Sequence, residues 1–421
     1  MNILIKQARV ISEGSDYHNR TMDLLIEGGE ITEMKSTIAA KGNVKVIEAE
    51  GLCVSTGWVD MQAVSCDPGF EHKETLESMM ACAAAGGFTT VCVHNYNQPA
   101  LHTKAQIEYL LNKSKNKIVE VLPLGTITQE GKGKDMAEMY DMKLSGAVAF
   151  SDYKHVISDA GTVLRALQYA NNIDSFIVTH CNDGSISAGG QMSEGETATS
   201  LGLKGIPALA EELMVQRNIS ILEYTGGKLH IPTISTRGSV ELIKKAKSAG
   251  LGITCGVAAV NLFLDDSCLV EFDTNYKLDP PLRTKKDVHS LRSAVESGII
   301  DVIVSDHLPQ DSESKELEFD HADNGMINLQ TAFNCALEGL KEKSGESIVR
   351  AFTTGPRRIL NMEEPFIKAG AEANLTLFSL SEKTILTESS NNSKSKNSPF
   401  FGRALQGRVV GVVRGSKSYF N

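Results

Sequence analysis

The middle of the chain alternates short runs of β-branched and apolar residues with longer stretches that carry apolar residues at helical spacing, and this alternation leaves few folds open. The strand-like runs are Thr89-Thr-Val-Cys-Val93, Ala147-Val-Ala-Phe150, Phe176-Ile-Val-Thr179, Leu229-His-Ile231, Gly252-Ile-Thr-Cys255 and Asp301-Val-Ile-Val304. Helical stretches run from Thr75 to Ala85, Gly161 to Ala170, Pro207 to Gln216, Gly238 to Ala249 and Lys286 to Ser297. Pro207 opens one helix and Gly250 follows the end of another, as start and stop residues should. Strands alternating with helices build βα units on a parallel sheet, which places the chain in the α/β class. Spacing by itself does not separate a closed barrel from an open doubly wound sheet, but the polar residues do. Ser151-Asp152, His180, Thr233 and Asp306-His307 each follow the C-terminal end of a strand or strand-like run, where a barrel gathers its site from several strands. An open sheet would more often show one glycine-rich phosphate turn, and no G-x-G-x-x-G follows a strand here. We therefore expect a (β/α)8 TIM-type barrel over residues 55–364.

Both chain ends read differently. Asn2-Ile-Leu-Ile-Lys6 and Asp23-Leu-Leu-Ile-Glu27 alternate apolar and polar residues, with Gly28-Gly29 as a hairpin-like turn. Ala373-Asn-Leu-Thr-Leu-Phe378 and Gly407-Arg-Val-Val-Gly-Val-Val-Arg414 are strand-like too, separated by the Ser/Asn/Lys-rich loop Ser389 to Ser398. Residues 1–54 and 365–421 should pair into one small β domain.

Composition narrows the function classes. The net charge of -10 and the lack of a long basic run argue against binding a phosphate backbone, so no nucleic-acid partner is expected. No stretch approaches the roughly 20 apolar residues of a membrane span, and Lys6 and Arg9 interrupt the N-terminal apolar run, which leads us to expect a cytoplasmic protein without a membrane partner. The eight cysteines include no CxxC pair and suit reduced, buried thiols better than a disulfide frame.

A histidine at a strand end, such as His180, is more often a hydrogen-bonded structural residue than a ligand. Asp306-His307 is the stronger signal, because an adjacent carboxylate and imidazole can serve as ligand, general base or substrate contact, though a capped loop explains them equally well. Asp60 to Gly69 reads as a strand entering a loop that ends in the turn Asp67-Pro68-Gly69. Cys66 lies in that loop, and with no base assignable to it an inert thiol is the better reading.

Several further motifs, in order, give the chain a family resemblance. Asp67-Pro-Gly-Phe-Glu-His-Lys-Glu-Thr75, Ala84-Ala-Gly-Gly-Phe-Thr-Thr-Val91, Leu201-Gly-Leu-Lys-Gly-Ile-Pro207, Pro280-Pro-Leu-Arg283, Ser305-Asp-His307 and Ser395-Lys-Asn-Ser-Pro-Phe400 resemble the single-chain bacterial dihydroorotases of the amidohydrolase superfamily. The resemblance implies a barrel carrying zinc, which makes hydroxide for attack on a cyclic amide.

The ligand positions implied by that resemblance are largely lost. The family's D-x-H-x-H-x-R stands here as Asp60-Met-Gln62-Ala-Val64-Ser-Cys66, so Gln62 and Val64 replace both histidines and Cys66 the arginine that holds the substrate carboxylate. Tyr153 falls on the bridging acid of S/T-D-D-G, with Asp152 one residue out of phase, and Thr233 falls on the histidine of H-I-x-H-x-S-T. Only His180 and Asp306 match as metal ligands, fewer than the three that catalytic zinc sites keep. Asp306 is also the family's base position. Tyr96 aligns with the substrate-binding asparagine, which Asn95 or Asn97 could replace, and His307 is a further substrate-contact candidate. Asp279 replaces an asparagine and Gln310 a histidine. Without metal, the pKa of the attacking water returns from about 7 to about 15.7, a loss of help on the order of 11 kcal/mol.

The expectation is a non-catalytic dihydroorotase homologue with no cofactor, acting as a subunit or scaffold beside aspartate carbamoyltransferase and forming a homodimer, both partners being implied by the resemblance. The alternative is an active cyclic-amide hydrolase, converting dihydroorotate and water to carbamoyl aspartate, with an altered zinc site. A small-molecule sensor using the old pocket is the third reading.

Overall fold

The computed structural model describes residues 2–341 and 345–421. Its central element is a parallel sheet of eight strands in simple sequential order, Trp58–Ala63, Phe88–Val93, Glu120–Gly125, Ala149–Phe150, Ile177–Val178, Leu229–Ile231, Ile253–Ala258 and Val302–Val304. The last strand returns to the first: Ala63 and His307 form a parallel bridge, and Val64 N donates to His307 O at 3.2 Å. Helices Leu76–Ala85, Lys104–Ser114, Ala160–Asn172, Ala208–Thr225, Arg237–Ser248 and Lys285–Glu296 lie between successive strands.

Of these strands, Glu120–Gly125 was not read from the sequence, and Trp58–Ala63 only as a strand around Asp60. Glu120–Gly125 contains Pro123, which gives no amide proton to a ladder, yet its carbonyl accepts from Val148 N at 3.1 Å. Trp58–Ala63 is buried throughout although it carries Asp60 and Gln62, so it lacks an apolar signature. The Ala147 and Phe176 runs shrink to two-residue strands, because only those residues make ladder pairs.

The chain ends form a second sheet. Ile3–Val10 pairs antiparallel with Thr21–Glu27, which turns through Gly28-Gly29 into Glu30–Lys35. Asn374–Ile385 pairs with Ala404–Arg414, and Leu52–Thr56 joins the N-terminal strands to Asn374–Ile385. The expected boundary at residue 54 thus falls within a strand of this sheet, and the parallel sheet begins at Trp58. Trp58 is fully buried at its start, packed on Phe88, Phe333, Phe352 and Phe378 with ring centroids 4.9–6.0 Å away. Gly87 permits that packing, since a Cβ there would lie 2.6 Å from the indole. No disulfide joins the cysteines among the described residues, and all but Cys268 are buried.

Candidate functional site

The residues singled out from sequence gather at the C-terminal rim of the parallel sheet. Asp306 follows the last strand in a left-handed conformation, φ 50°, and both of its carboxylate oxygens are taken. Gln62 Nε2 donates to Oδ1 at 2.7 Å, and Lys154 Nζ donates to Oδ2 at 2.8 Å. Lys154 also donates to the backbone carbonyl of Asp279 and lies 5.6 Å from the Tyr153 ring centroid. His180 Nε2 stands 3.2 Å from Asp279 Oδ1. Burial would raise the Asp279 carboxyl, but the charges of His180, Lys154 and Arg283 bring it down to about 2. The structure thus brings together Gln62, His180, Asp306 and Asp279, which the motif comparison names as replacing an asparagine, and adds Lys154, which it did not credit. Lys154 carried one signal, its place directly after Tyr153 in a strand-end segment; the Asp279 pairing carried none.

Next to this polar cluster the rim is apolar. Val64, Cys66, Tyr153 and Leu308 form one buried cluster with Phe70 and Tyr96 packed against it. Burial pushes the Tyr153 phenol well above its usual range, with Asp306 adding to the shift. Its hydroxyl, like Gln62 Oε1, His180 Nδ1 and Thr233 Oγ1, is buried without a hydrogen-bond partner among the described residues. Cys66 and Tyr153 both have φ 56°, so two non-glycine residues hold left-handed backbone here in addition to Asp306. Cys66 is no nucleophile, because burial and the nearby Glu74 charge raise its thiol far out of the reactive range.

Other candidates are bound into the framework. Asp152 accepts from Ile127 N at 2.8 Å, Thr128 N at 3.0 Å and Thr128 Oγ1 at 2.5 Å, so its carboxylate is committed to the neighbouring loop. Asn95 Oδ1 accepts from Leu101 N at 2.8 Å, and Asn97 caps its own loop through Tyr96 N at 3.2 Å. Gln310 accepts from Lys73 Nζ at 2.5 Å. The motifs also meet in space. Ser395 Oγ donates to Lys73 O at 2.7 Å and Asn397 Nδ2 to Leu308 O at 3.0 Å, while Arg283 reaches Ser235 Oγ at 3.0 Å and Ile206 O at 2.8 Å.

Two donor sets bear on zinc. At the rim, Val64 has no lone pair, Tyr153 keeps its proton, and Asp306 is saturated by a lysine and an amide; these residues do not fit the ion. Behind the rim, Glu74, Cys82 and His307 place donor atoms within 4.8 Å of one another, all buried. His307 Nδ1, however, accepts from Asn328 N at 3.1 Å and Leu329 N at 3.3 Å, which leaves the ring proton on Nε2, 3.4 Å from Glu74 Oε2. A metal on Nε2 would demand an imidazolate. Burial would raise Glu74, but His307, Ser393 and Ser78 hold it below its usual range, the pattern of a structural anchor.

Residues 51–239 match the family model described as "Dihydro-orotase-like". Relatives named dihydroorotase include those of Geotalea daltonii, 38% identical with 98% of both chains covered, Trichlorobacter lovleyi, 37% with 100% of both, and Acetivibrio thermocellus, 38% with 97% of this chain and 96% of the relative. Among solved structures, L-hydantoinase (dihydropyrimidinase) from Arthrobacter aurescens superimposes with a TM-score of 0.85 at 22% identity, covering 99% of this chain and 95% of that one. Dihydropyrimidinase from Brevibacillus agri gives 0.83 at 20%, covering 100% and 95%. Those two likenesses speak to fold alone. The full-length relatives, together with framework motifs that meet in space as a working tertiary unit, show that the chain belongs to the dihydroorotase family.

Proposed function

We propose that this protein is a non-catalytic dihydroorotase homologue of pyrimidine synthesis, built on a (β/α)8 barrel with a small β domain from both chain ends, and acting in assembly beside aspartate carbamoyltransferase in the cytoplasm. The observation that carries the loss of catalysis is the saturation of Asp306: Lys154 and Gln62 occupy both oxygens of the carboxylate that would bind metal or move a proton. The bridge from Ala63 to His307 supports barrel closure. The carbamoyltransferase partner and the homodimer rest on the family resemblance. No helix among the described residues is long and apolar enough to cross a membrane. The cleft beside His180, lined by Asp152, Tyr153 and Arg217, has a volume of about 10 Å³, far below the roughly 300–1,000 Å³ of small-molecule sites, which weakens the sensor reading at that cleft.

The second reading is an active dihydroorotase with an altered metal site, and the comparisons favour it over a non-catalytic role, since the full-length relatives carry that name. The test is elemental analysis of the purified protein with a turnover assay on dihydroorotate and on carbamoyl aspartate. The expected result is zinc well below one ion per chain and no turnover above background. Metal-dependent turnover abolished by Asp306→Ala would establish the second reading instead.

A further inference from the structure

Lysines are seldom fully buried unless a carboxylate meets them, because an ammonium taken out of water without a counter-charge is unfavourable. Lys277 and Lys315 are only 6% and 5% exposed, and neither forms an ion pair among the described residues. Lys277 Nζ donates to Phe319 O at 2.7 Å and Asp320 O at 3.1 Å. Lys315 Nζ donates to Asp323 O at 2.8 Å and Gly325 O at 3.2 Å. All four acceptors are backbone carbonyls, which solvate an ammonium proton but do not neutralise its charge. An ammonium carries three protons, and these bonds use two of those on Lys315. Burial and the charge of Lys277 bring Lys315 down to about 8 against the opposing charges of Asp273 and Asp323, the direction expected of a cation short of counter-charge.

Lys315 also lines a cleft of about 540 Å³, within the roughly 300–1,000 Å³ of small-molecule sites. Its walls come from the segment after the strand Trp58–Ala63, the connections that follow Ile253–Ala258 and Val302–Val304, and the Ser/Asn/Lys-rich loop of the second sheet. That loop contributes the exposed Lys394 and Lys396. Lys394 donates to Glu71 O and has no carboxylate partner among the described residues, whereas Lys396 stands 3.2 Å from Glu388. Against these three ammoniums the cleft sets two carboxylates, Asp311 and Glu316, and Asp311 is already committed to Ser314 N at 2.9 Å and His72 at 3.4 Å. Of the positions read from the family's site only Gln310 reaches this cleft, and its amide is tied to Lys73 and to Asn324 O.

We propose that this cleft binds a small organic anion, whose carboxylate or phosphate group supplies the missing counter-charge to Lys315, with Lys394 as its second cation. A bare inorganic ion would fill little of the volume, so the ligand carries a polar body, to which Asn275 and Ser312 on the lining offer an amide and a hydroxyl. The inference stands whether or not the rim around Asp306 is catalytic.

The test follows thermal unfolding of the full chain with glycerol 3-phosphate, with succinate, and with chloride at matched ionic strength. An organic anion that binds should raise Tm saturably, by roughly 3 °C at a hundredfold excess over its Kd, while chloride should not. A response to glycerol 3-phosphate alone identifies a phosphate ester as the ligand chemistry, and a response to succinate alone a carboxylate. Lys315→Gln keeps a donor for the Asp323 and Gly325 carbonyls while removing the charge, and should abolish the rise. Lys394→Gln with Lys396→Gln changes exposed side chains only and serves if the Lys315 variant does not fold; it should weaken binding by about tenfold. Absence of a saturable response to either organic anion overturns the inference. So does a response that survives both sets of substitutions, because it then comes from another surface.

Discussion

The two ends of the parallel sheet solve burial in opposite ways. At the N-terminal floor, Trp58 is enclosed by four phenylalanines and its indole N–H donates to Ser55 Oγ at 2.9 Å. The left-handed backbone beside it belongs to Gly87, φ 93°, where no side chain is strained. At the C-terminal rim, Cys66, Tyr153 and Asp306 hold left-handed conformations with full side chains, at roughly 1–3 kcal/mol each. Gln62, Tyr153, His180 and Thr233 there also leave polar atoms buried without partners among the described residues. The floor is a core optimised for packing. The rim's side chains are a mixture of a small apolar cluster and two charge pairs, Lys154 with Asp306 and His180 with Asp279.

The largest test of that contrast is Trp58→Ala, which should cost about 3–5 kcal/mol in denaturant unfolding because the surrounding rings cannot collapse into the space. Val64→Ala at the rim should cost less, since a smaller side chain leaves a smaller cavity. Equal losses would erase the distinction between floor and rim.

A second test separates the ends by pH. Burial lowers His94 to about 4 and His230 to about 3, against hydrogen bonds from His94 Nε2 to Met61 O at 3.0 Å and between His230 Nδ1 and Thr254 Oγ1 at 2.9 Å. The fold excludes a proton that the unfolded chain binds near pH 6.5, so stability is complete above about pH 6.5 and falls as the pH drops toward 4. The two histidines should contribute a loss on the order of 3 kcal/mol from pH 7 to 5, offset in part by Asp60, which burial raises to about 7 and which takes up a proton in the folded state over the same range, so a His94→Gln, His230→Gln double variant should gain stability relative to wild type as the pH falls. Identical pH dependence in wild type and double variant would show that these imidazoles charge freely inside the sheet.

The third test asks whether the rim backbone is still competent. Gln62→His, Val64→His, Tyr153→Asp and Thr233→His together should rebuild zinc affinity, seen as about 2.7 kcal/mol of added stability at a hundredfold excess over Kd. Turnover should stay low until Cys66→Arg is added, and that change should help the repaired protein more than the native one, because both repairs serve one transition state. Absence of zinc binding would mean the rim has diverged in backbone as well as side chain. Full turnover in the four-residue variant would remove the role given to position 66.

Much of the α/β alternation was open to reading in the sequence, because strand and helix periods are local properties of the chain. A valine at position 64 likewise lacks a donor atom in any fold. The strand Glu120–Gly125 was hidden by Pro123, and the extent of Trp58–Ala63, read only as a strand around Asp60, was blurred by buried polar residues whose acceptability depends on neighbours distant in sequence. Asp152 could not be told from a rim ligand until Thr128 was seen to claim it. The same holds for Lys154. Its ammonium meets Asp306, 152 residues away, only because successive parallel strands deliver their C-terminal ends to one rim. Local pattern decided which elements form; the Lys154–Asp306 contact is a through-space pairing, and only the path of the chain through the parallel sheet decides it.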